Sequence, residues 1–348
     1  MMNVLVTGGA GFIGSNFVRH ALSAHPDWRV TTLDKLTYAG RLENLKGVLD
    51  HPRHEFVKGD VADPAVAGPL VTASDIVVHF AAETHVDRSL LNAGEFITTD
   101  VYGTFVLLEA AREAPKLRKF VQISTDEVYG SVPEGSSKET DELRPRNPYS
   151  ASKAGADRLA YSYWATYEVP VVITRASNNY GPNQFPEKVI PLFITNAMDD
   201  RPVPLYGDGR QIRDWLHVSD NCRALDLIIE AGTPGEVHNV GGGNHVMNVD
   251  LTRRILQLLG KPESPSSPWP IARATTAATP STRPNFTGSD GSRASSSSRD
   301  SRRRWPGTGR TSGGGGRSRR ATPPSRRTTR RSTTIARASL EWLASHSS

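Results

Sequence analysis

The chain has 348 residues, with 30 Gly, 24 Pro, a single Cys and a formal net charge of +6. One cysteine excludes an intrachain disulfide, and the length suffices for one large or two ordinary domains. The charge is unevenly placed: residues 1–260 carry 25 Lys and Arg against 32 Asp and Glu, and residues 261–348 carry 17 against 4. The part with globular composition is therefore acidic, which argues against a specific nucleic-acid partner there.

No apolar run reaches the ~18 to 20 residues that cross a bilayer, so no membrane partner is expected. Met1 to Thr7 leads straight into a strand-like run without the charged and apolar regions of a signal peptide. A cytoplasmic protein is expected.

From Asn3 onward, short apolar, β-branched runs alternate with amphipathic stretches. Val4-Leu5-Val6 precedes a helix from Gly14 to Leu22, Val30 to Leu33 precedes one from Leu42 to Val48, and Ile76 to Phe80 precedes one from Phe96 to Arg112. Phe120 to Ser124, a helix from Ala151 to Tyr167, and Val171 to Arg175 follow. Strands apolar throughout and separated by helices predict an α/β fold, a doubly wound parallel sheet of the Rossmann type covered on both faces. The expected division is a dinucleotide-binding domain over 1–175 with returning segments around 214–240, and a smaller, incomplete substrate-binding portion over 176–262.

Residues 263–348 read differently, as Ser, Arg, Gly, Thr and Pro runs such as 295–298, 302–304 and 313–316. They hold too few large apolar residues to offset ordering entropy, so disorder is expected. Read from the third base of each codon, with permitted codon choices, residues 269–280 become Ala-Asp-Arg-Pro-Gly-His-Asp-Arg-Arg-Tyr-Ala. The same offset turns 304–311 into Val-Ala-Trp-Tyr-Arg-Glu-Asn, so a shifted reading frame beginning near 263–268 is the expectation over a native basic tail that binds polyanions.

Gly8, Gly11 and Gly14 lie between the first strand and first helix. Their spacing suits a tight turn, a close backbone approach to a pyrophosphate, and close packing of helix on strand. Asp34 ends the second strand 20 residues beyond Gly14, where a carboxylate accepts from ribose hydroxyls and repels a 2′-phosphate. That favours NAD over NADP, although the adjacent Lys35 would tolerate a phosphate. Asp60 and Val61 follow the third strand, placed either to bracket an adenine or simply to form a turn.

Tyr149 and Lys153 are one helical turn apart, so they share a face. An adjacent ammonium and a nicotinamide cation would both favour the phenolate and make a base for alcohol oxidation. Thr125, Asp126 and Glu127 leave the end of a buried strand, where a doubly wound sheet binds its ligands. Two carboxyls in different surroundings supply an acid and a base to one substrate, which suits elimination. The alternative makes them a helix cap and a first-turn acid. His85, His217 and Cys222 read as packing or structural groups, and no spacing of His, Cys, Asp and Glu suggests a metal.

The glycine spacing is similar to that of the extended short-chain dehydrogenases/reductases. More narrowly, the chain resembles the dTDP-glucose 4,6-dehydratases of bacterial deoxysugar and antibiotic pathways. The residues that carry this resemblance are Thr7 to Phe17, Asp34 to Gly40, His79 to Ser89, Ser124 to Gly130, Asn147 to Ala154, Asn178 to Gln184 and Ile212 to Leu216, in order across about 3–262.

The resemblance implies a redox-neutral dehydration with tightly held NAD, Tyr149 taking the C4 hydroxyl proton with Lys153 and Thr125 in support. Glu127 then takes the C5 proton and Asp126 protonates the departing C6 hydroxyl. It adds Phe12, Ile13, Lys35, Thr37 and Ala81 to the cofactor contacts, Thr84 near the hexose, and Asn179, Lys188, Arg213 and Asn248 to the nucleotide contacts. It also implies a homodimer through the helices at 96–112 and 151–167. The family's Arg-Pro-Gly-His-Asp-Arg-Arg-Tyr segment is absent as translated and is restored by the offset frame; without it, a wall and a phosphate anchor are expected to be lost. Two alternatives are a nucleotide-sugar 4-epimerase or decarboxylase, which has no need of Asp126 and Glu127, and an inactive NAD-binding paralogue.

Overall fold

The computed structural model describes residues 1–132, 135–262 and 272–274. Disorder in the remainder of the tail, and the frame shift inferred for it, fall outside the described residues.

Strands β1 (Met2–Thr7), β2 (Trp28–Asp34), β3 (His54–Lys58), β4 (Ile76–His79), β5 (Lys119–Thr125) and β6 (Val171–Ala176) form one sheet with a later strand, β10 (Val237–Val240). The order is β10-β6-β5-β4-β1-β2-β3, with every pair parallel. Chain order reverses between β1 and β4, which opens a crevice at the strands' carboxyl ends.

Alternation along each strand feeds two cores. Val4 and Val6 join Phe17, Val18, Val121 and Leu225 on one face, whereas Leu5 joins Val77, Phe120, Leu107 and Ile173 on the other. The first core is covered by α1 (Phe12–Ala24) and α8 (Val218–Ala231), the second by α2 (Pro64–Thr72), α5 (Gly103–Arg112) and α6 (Pro148–Tyr167).

Short helices α3 (Val86–Leu91) and α4 (Ala93–Phe96) lead into a π-helical turn, Ile97–Tyr102, before α5. The sequence predicts one continuous helix over 96–112, and the π-turn is the departure from it. A second departure is the helix expected over 42–48, which shrinks to one 3-10 turn, Leu42–Leu45, burying Leu45 alone. Gly47, at φ +90°, turns the chain away from helix there.

The smaller unit holds β7 (Asn178–Tyr180), α7 (Val189–Met198), β8 (Pro204–Tyr206), β9 (Ile212–His217), β11 (His245–Met247) and α9 (Asn248–Leu258). β7, β9 and β11 make a three-stranded sheet, and Tyr180, Phe193, Trp215, Leu251 and Ile255 share one core. β12 (Ala272–Ala274) pairs in parallel with β8, whose edge offers it backbone partners. No described helix is long and apolar enough to cross a membrane.

Candidate active site

A cavity of about 350 Å³ lies over the crevice between β1 and β4. At one end the chain leaves β1 through Gly8, whose φ of +69° and whose absent Cβ, which would stand 2.6 Å from Ala81 N, both require glycine. A Cβ on Gly14 would stand 2.4 Å from Gly8 O, so the helix sits directly on the turn. α1 follows Gly11, its N-cap, with no side-chain cap bond, leaving its first N–H groups for a ligand in the cavity. This backbone cradle fits a dinucleotide pyrophosphate.

Asp34 closes this end. Its carboxylate accepts from Ala10 N at 3.0 Å and from Leu36 N at 2.8 Å, while burial pushes its carboxyl above the ordinary range. The carboxylate thus ties β2 to the glycine turn and still borders the cavity. Lys35 donates to Thr99 Oγ1 at 2.9 Å and lies 3.6 Å from Asp60 and 3.7 Å from Glu83.

At the middle, Asn147 caps α6. Its Oδ1 accepts from Ser150 N at 2.8 Å, Ser150 Oγ accepts from Asn147 N at 3.3 Å, and Pro148 follows the cap. This box fixes Tyr149 in the first turn and Lys153 one turn on. Lys153 is 6 % exposed and donates to Ile123 O on β5 at 2.6 Å.

Burial lowers the Lys153 ammonium's pKa, and burial first, then Glu127 and Asp100, holds the Tyr149 phenol well above its ordinary value. The Thr125 side chain pulls the other way through a hydrogen bond. The acidification expected of Tyr149 draws on the Lys153 ammonium and a nicotinamide cation together; among the protein groups burial, Glu127, Asp100 and Asp126 hold the phenol up, and forming the phenolate calls for further positive charge in the cavity.

β5 ends at Thr125, whose side chain accepts from Glu127 N at 3.3 Å and caps a 3-10 turn, Asp126–Tyr129. The alternative reading of Asp126 and Glu127 is met in part, since they are first-turn acids, but the cap is Thr125 and both carboxyls border the cavity. Asp126 is pushed up to about 6 by burial and then by Glu127. Beneath the turn, Arg175 (2 % exposed) pairs with the fully buried Asp157 at 2.9 Å and donates to Tyr129 Oη at 2.7 Å. Tyr129 in turn donates to Asn239 Oδ1 at 2.8 Å. The reacting turn is thus held from below by a satisfied polar network.

Gly8, Gly11, Phe12, Ile13, Gly14, Asp34, Lys35, Thr37, Asp60, Val61, Ala81, Thr84, Thr125, Asp126, Glu127, Tyr149, Lys153, Asn179 and Lys188 all border this one cavity. Lys188 donates to Thr84 O at 2.8 Å. Arg213 and Asn248 are not brought to the wall: Arg213 is exposed on β9, and Asn248 opens α9. Arg213 acts on the site through its charge, which lowers the Asp126 carboxyl. His85 and His217 are helix caps, accepting from Arg88 N and Ser219 N, and Cys222 is buried in α8. Among the described residues no cluster of His, Cys, Asp and Glu could hold a metal.

Sequence reasoning passed over Ser177, Gln184 and Trp215, which border the cavity with buried polar atoms lacking a protein partner. Trp215 stands within a motif quoted for the resemblance, and an indole at a strand's cavity end was the available signal. Asp100 gave none, because in a helix of regular period it reads as one more polar surface position.

The sequence profile of the GDP-mannose 4,6 dehydratase family matches residues 5–268. The chain is 52% identical over 268 residues to a dTDP-glucose 4,6-dehydratase of Actinoplanes sp., covering 76% of this chain and 83% of that one. It resembles the crystal structure of the Streptomyces venezuelae dTDP-glucose 4,6-dehydratase with NAD bound, at TM-score 0.73 and 49% identity over 75% of this chain and 82% of that one. A UDP-glucuronic acid 4-epimerase of Bacillus cereus, in complex with NAD and UDP-glucuronic acid, superposes with TM-score 0.72 at 30% identity, over 75% and 84% of the two chains.

Proposed function

The chain belongs to the GDP-mannose 4,6 dehydratase family, among its dTDP-glucose 4,6-dehydratases, and from that premise we propose how its own residues divide the reaction. It is an NAD-dependent lyase that converts dTDP-glucose to dTDP-4-keto-6-deoxyglucose. When bound, NAD supplies the acceptor of the C4 hydride and its return to C6, so the reaction is redox-neutral.

The glycine turn, Asp34 and the start of α1 hold the cofactor, with residues 1–175 and 214–240 as its frame. Residues 176–262 face the nucleotide sugar. Tyr149 receives the C4 hydroxyl proton, oriented by Thr125. Once C4 is a ketone, the C5 proton is acidic. Glu127 removes it, and Asp126 delivers a proton to the C6 hydroxyl as water leaves. Asn179 and Lys188 contact the nucleotide from the cavity wall; Arg213 on β9 and Asn248 at the start of α9 lie beyond that wall.

The observation that carries this reading is the pair of carboxyls, Asp126 and Glu127, on the same cavity as Tyr149. Burial, and then Glu127, push Asp126 up to about 6, so it holds its proton more tightly than an ordinary carboxyl. A C4 epimerase has no use for such a pair. Incubation with dTDP-glucose should therefore give the alkali-induced absorbance of a 4-keto sugar, and accumulation of dTDP-galactose instead would establish epimerisation.

The exposed Ile97, Tyr102 and Phe105 on the π-turn and α5, with Tyr161 and Tyr167 on α6, form a face for a second copy. A homodimer in light scattering is expected. With its one cysteine buried in α8, the protein suits the cytoplasm.

A further inference from the structure

Tyr129 closes the 3-10 turn that carries Asp126 and Glu127, and the reaction above gives it no task. It is 5 % exposed, with the Arg175 guanidinium 4.9 Å from its ring centroid. The neighbours fix the direction of the hydrogen bonds at its phenol. A guanidinium has donors only, so Tyr129 Oη accepts from Arg175 Nη1 at 2.7 Å. Its single hydrogen then goes to Asn239 Oδ1 at 2.8 Å, and Asn239 Nδ2 donates in turn to Ser137 O at 2.9 Å.

Arg175 is tied on its other side to α6. Its Nε and Nη2 reach the two oxygens of Asp157 at 2.9 and 3.0 Å, a bidentate pair of rigid geometry. Asp157 is fully buried and stands one helical turn beyond Lys153 and two beyond Tyr149. Asp157, Arg175, Tyr129 and Asn239 thus form one chain of bonds, from α6 through β6 to the reacting turn and on to β10.

That chain joins two sets of groups that act at different stages. Tyr149 and Lys153 serve oxidation at C4 and have supports of their own, the Asn147 capping box and the bond from Lys153 to Ile123 O. Asp126 and Glu127 serve elimination across C5 and C6. Their turn is capped at its start by Thr125, and at its far end Val128 O accepts from Arg144 N at 2.9 Å while Tyr129 is held by Arg175 and Asn239. A single 3-10 turn has poor hydrogen-bond geometry and no ladder to keep its pitch. Releasing Tyr129 therefore loosens Asp126 and Glu127 and leaves Tyr149 in place.

Resting on the dehydratase reading above, we propose that Tyr129 is a positioning residue for the elimination step: its phenol, anchored by the Asp157 and Arg175 pair, holds Asp126 and Glu127 in register with Tyr149. Tyr129 is not on the cavity wall and exchanges no proton with substrate. A shift of about 1 Å in a reacting group can cost ~10²-fold. Here that loss falls on the step the turn serves.

The test uses Tyr129→Phe, which deletes the oxygen and keeps the ring, and Asn239→Ala, which removes the acceptor of its hydrogen and leaves Arg175 in place. Hydrogen exchange is followed first, on the full chain without ligand. The amides of Glu127 and Gly130, bonded to Thr125 Oγ1 and Glu127 O, should exchange about tenfold faster in Tyr129→Phe while those of α6 keep their protection. Unchanged exchange at the turn, or equal loosening of α6, would overturn the proposal.

Rapid mixing of the NAD-loaded protein with dTDP-glucose then separates the two steps. In Tyr129→Phe, oxidation should stay within about threefold of wild type while keto-sugar formation slows by about tenfold or more. The absorbance of reduced nicotinamide then builds up before product, and deuterium at C5 slows kcat more than it does in wild type. Asn239→Ala should move both readouts the same way by less. A merely structural defect lowers the active fraction and scales both steps together, so equal slowing without reduced cofactor would overturn the positioning role, as would wild-type behaviour. A wild type that forms no keto sugar from dTDP-glucose would refute the assigned function, and the role of Tyr129 in elimination with it, whatever the exchange rates show.

Discussion

The two ends of the cavity are built on different terms. At the cofactor end the groups are already satisfied: both Asp34 oxygens accept backbone N–H groups, and Lys35 has Thr99, Asp60 and Glu83. At the end proposed for the nucleotide sugar, Ser177 Oγ, Asn179 Oδ1, Gln184 Oε1 and Trp215 Nε1 are buried without a protein partner. Buried polar atoms are nearly always paired, so the first end is a finished backbone mould and the second is completed by what it binds. Tyr149 stands where the two meet.

Removing the Tyr149 oxygen should have the largest effect, because the reaction at both ends passes through it. Tyr149→Phe is expected to lower kcat by ~10²–10⁴, the range for losing a positioned acid or base. Tyr149 ring packing against Phe96, with centroids 6.3 Å apart, is kept, so NAD binding should survive. Retained NAD fluorescence quenching with no 4-keto product is the expected pattern; near-normal turnover would show that another group takes the proton.

Gly8→Ala attacks the finished end. The new methyl would meet Ala81 N at 2.6 Å in a backbone at φ +69°, and neither the turn nor the strand can give way cheaply. Left-handed backbone in a non-glycine residue costs about 1–3 kcal/mol before the clash is counted. Calorimetric titration should show NAD affinity lost together with thermal stability. Unchanged NAD affinity would mean that the mould is softer than its contacts imply.

Much of this end was legible in the sequence because its parts are local. Three glycines and an acid at a strand end are short-range requirements of backbone geometry, and the structure places Gly8, Gly14 and Asp34 in contact with one another or with the same turn. The parallel sheet was legible for a similar reason, since strands buried on both faces must be apolar throughout. The unread parts depend on context. The helix expected over 42–48 fails at Gly47, and Asp100 owes its inward aim to one π-turn that no 3.6-residue pattern reveals. Thr125, Asp126 and Glu127 could be placed together from sequence, but burial, which only the fold supplies, decides that Asp126 is the carboxyl pushed up to about 6.

That burial has a measurable cost at the boundary between the ends. The Asp126 carboxyl rises from 3.8 to about 6, so the folded state binds its proton more tightly than the unfolded chain does. The stabilisation is complete below the unfolded value and is lost as pH climbs through the folded one. Asp126→Asn should therefore be more stable than wild type at about pH 7.5, by up to roughly 3 kcal/mol, and lose that advantage at about pH 4. Thermal melts at the two pH values check this. An equal difference at both would mean that the gain comes from packing and not from ionisation.

The smallest effect is expected at the unfinished end, where Trp215→Phe deletes one unpartnered donor and keeps most of the ring. Trp215 is 5 % exposed and packs edge-on against Tyr180, with centroids 6.4 Å apart, so the fold should tolerate a phenyl group there. If Trp215 Nε1 finds its partner on the nucleotide sugar, its loss removes one hydrogen bond, about 0.5–1.5 kcal/mol, or up to about tenfold in KM. That bond lies away from the reacting carbons and is equally present in ground and transition states, so kcat should stay near wild type. NAD affinity should not move, since the contacts of the first end are untouched. A fall in kcat with KM unchanged would place the indole among the groups that act on the reacting centre, and the contrast between a finished and an unfinished end would then have to be redrawn around Trp215.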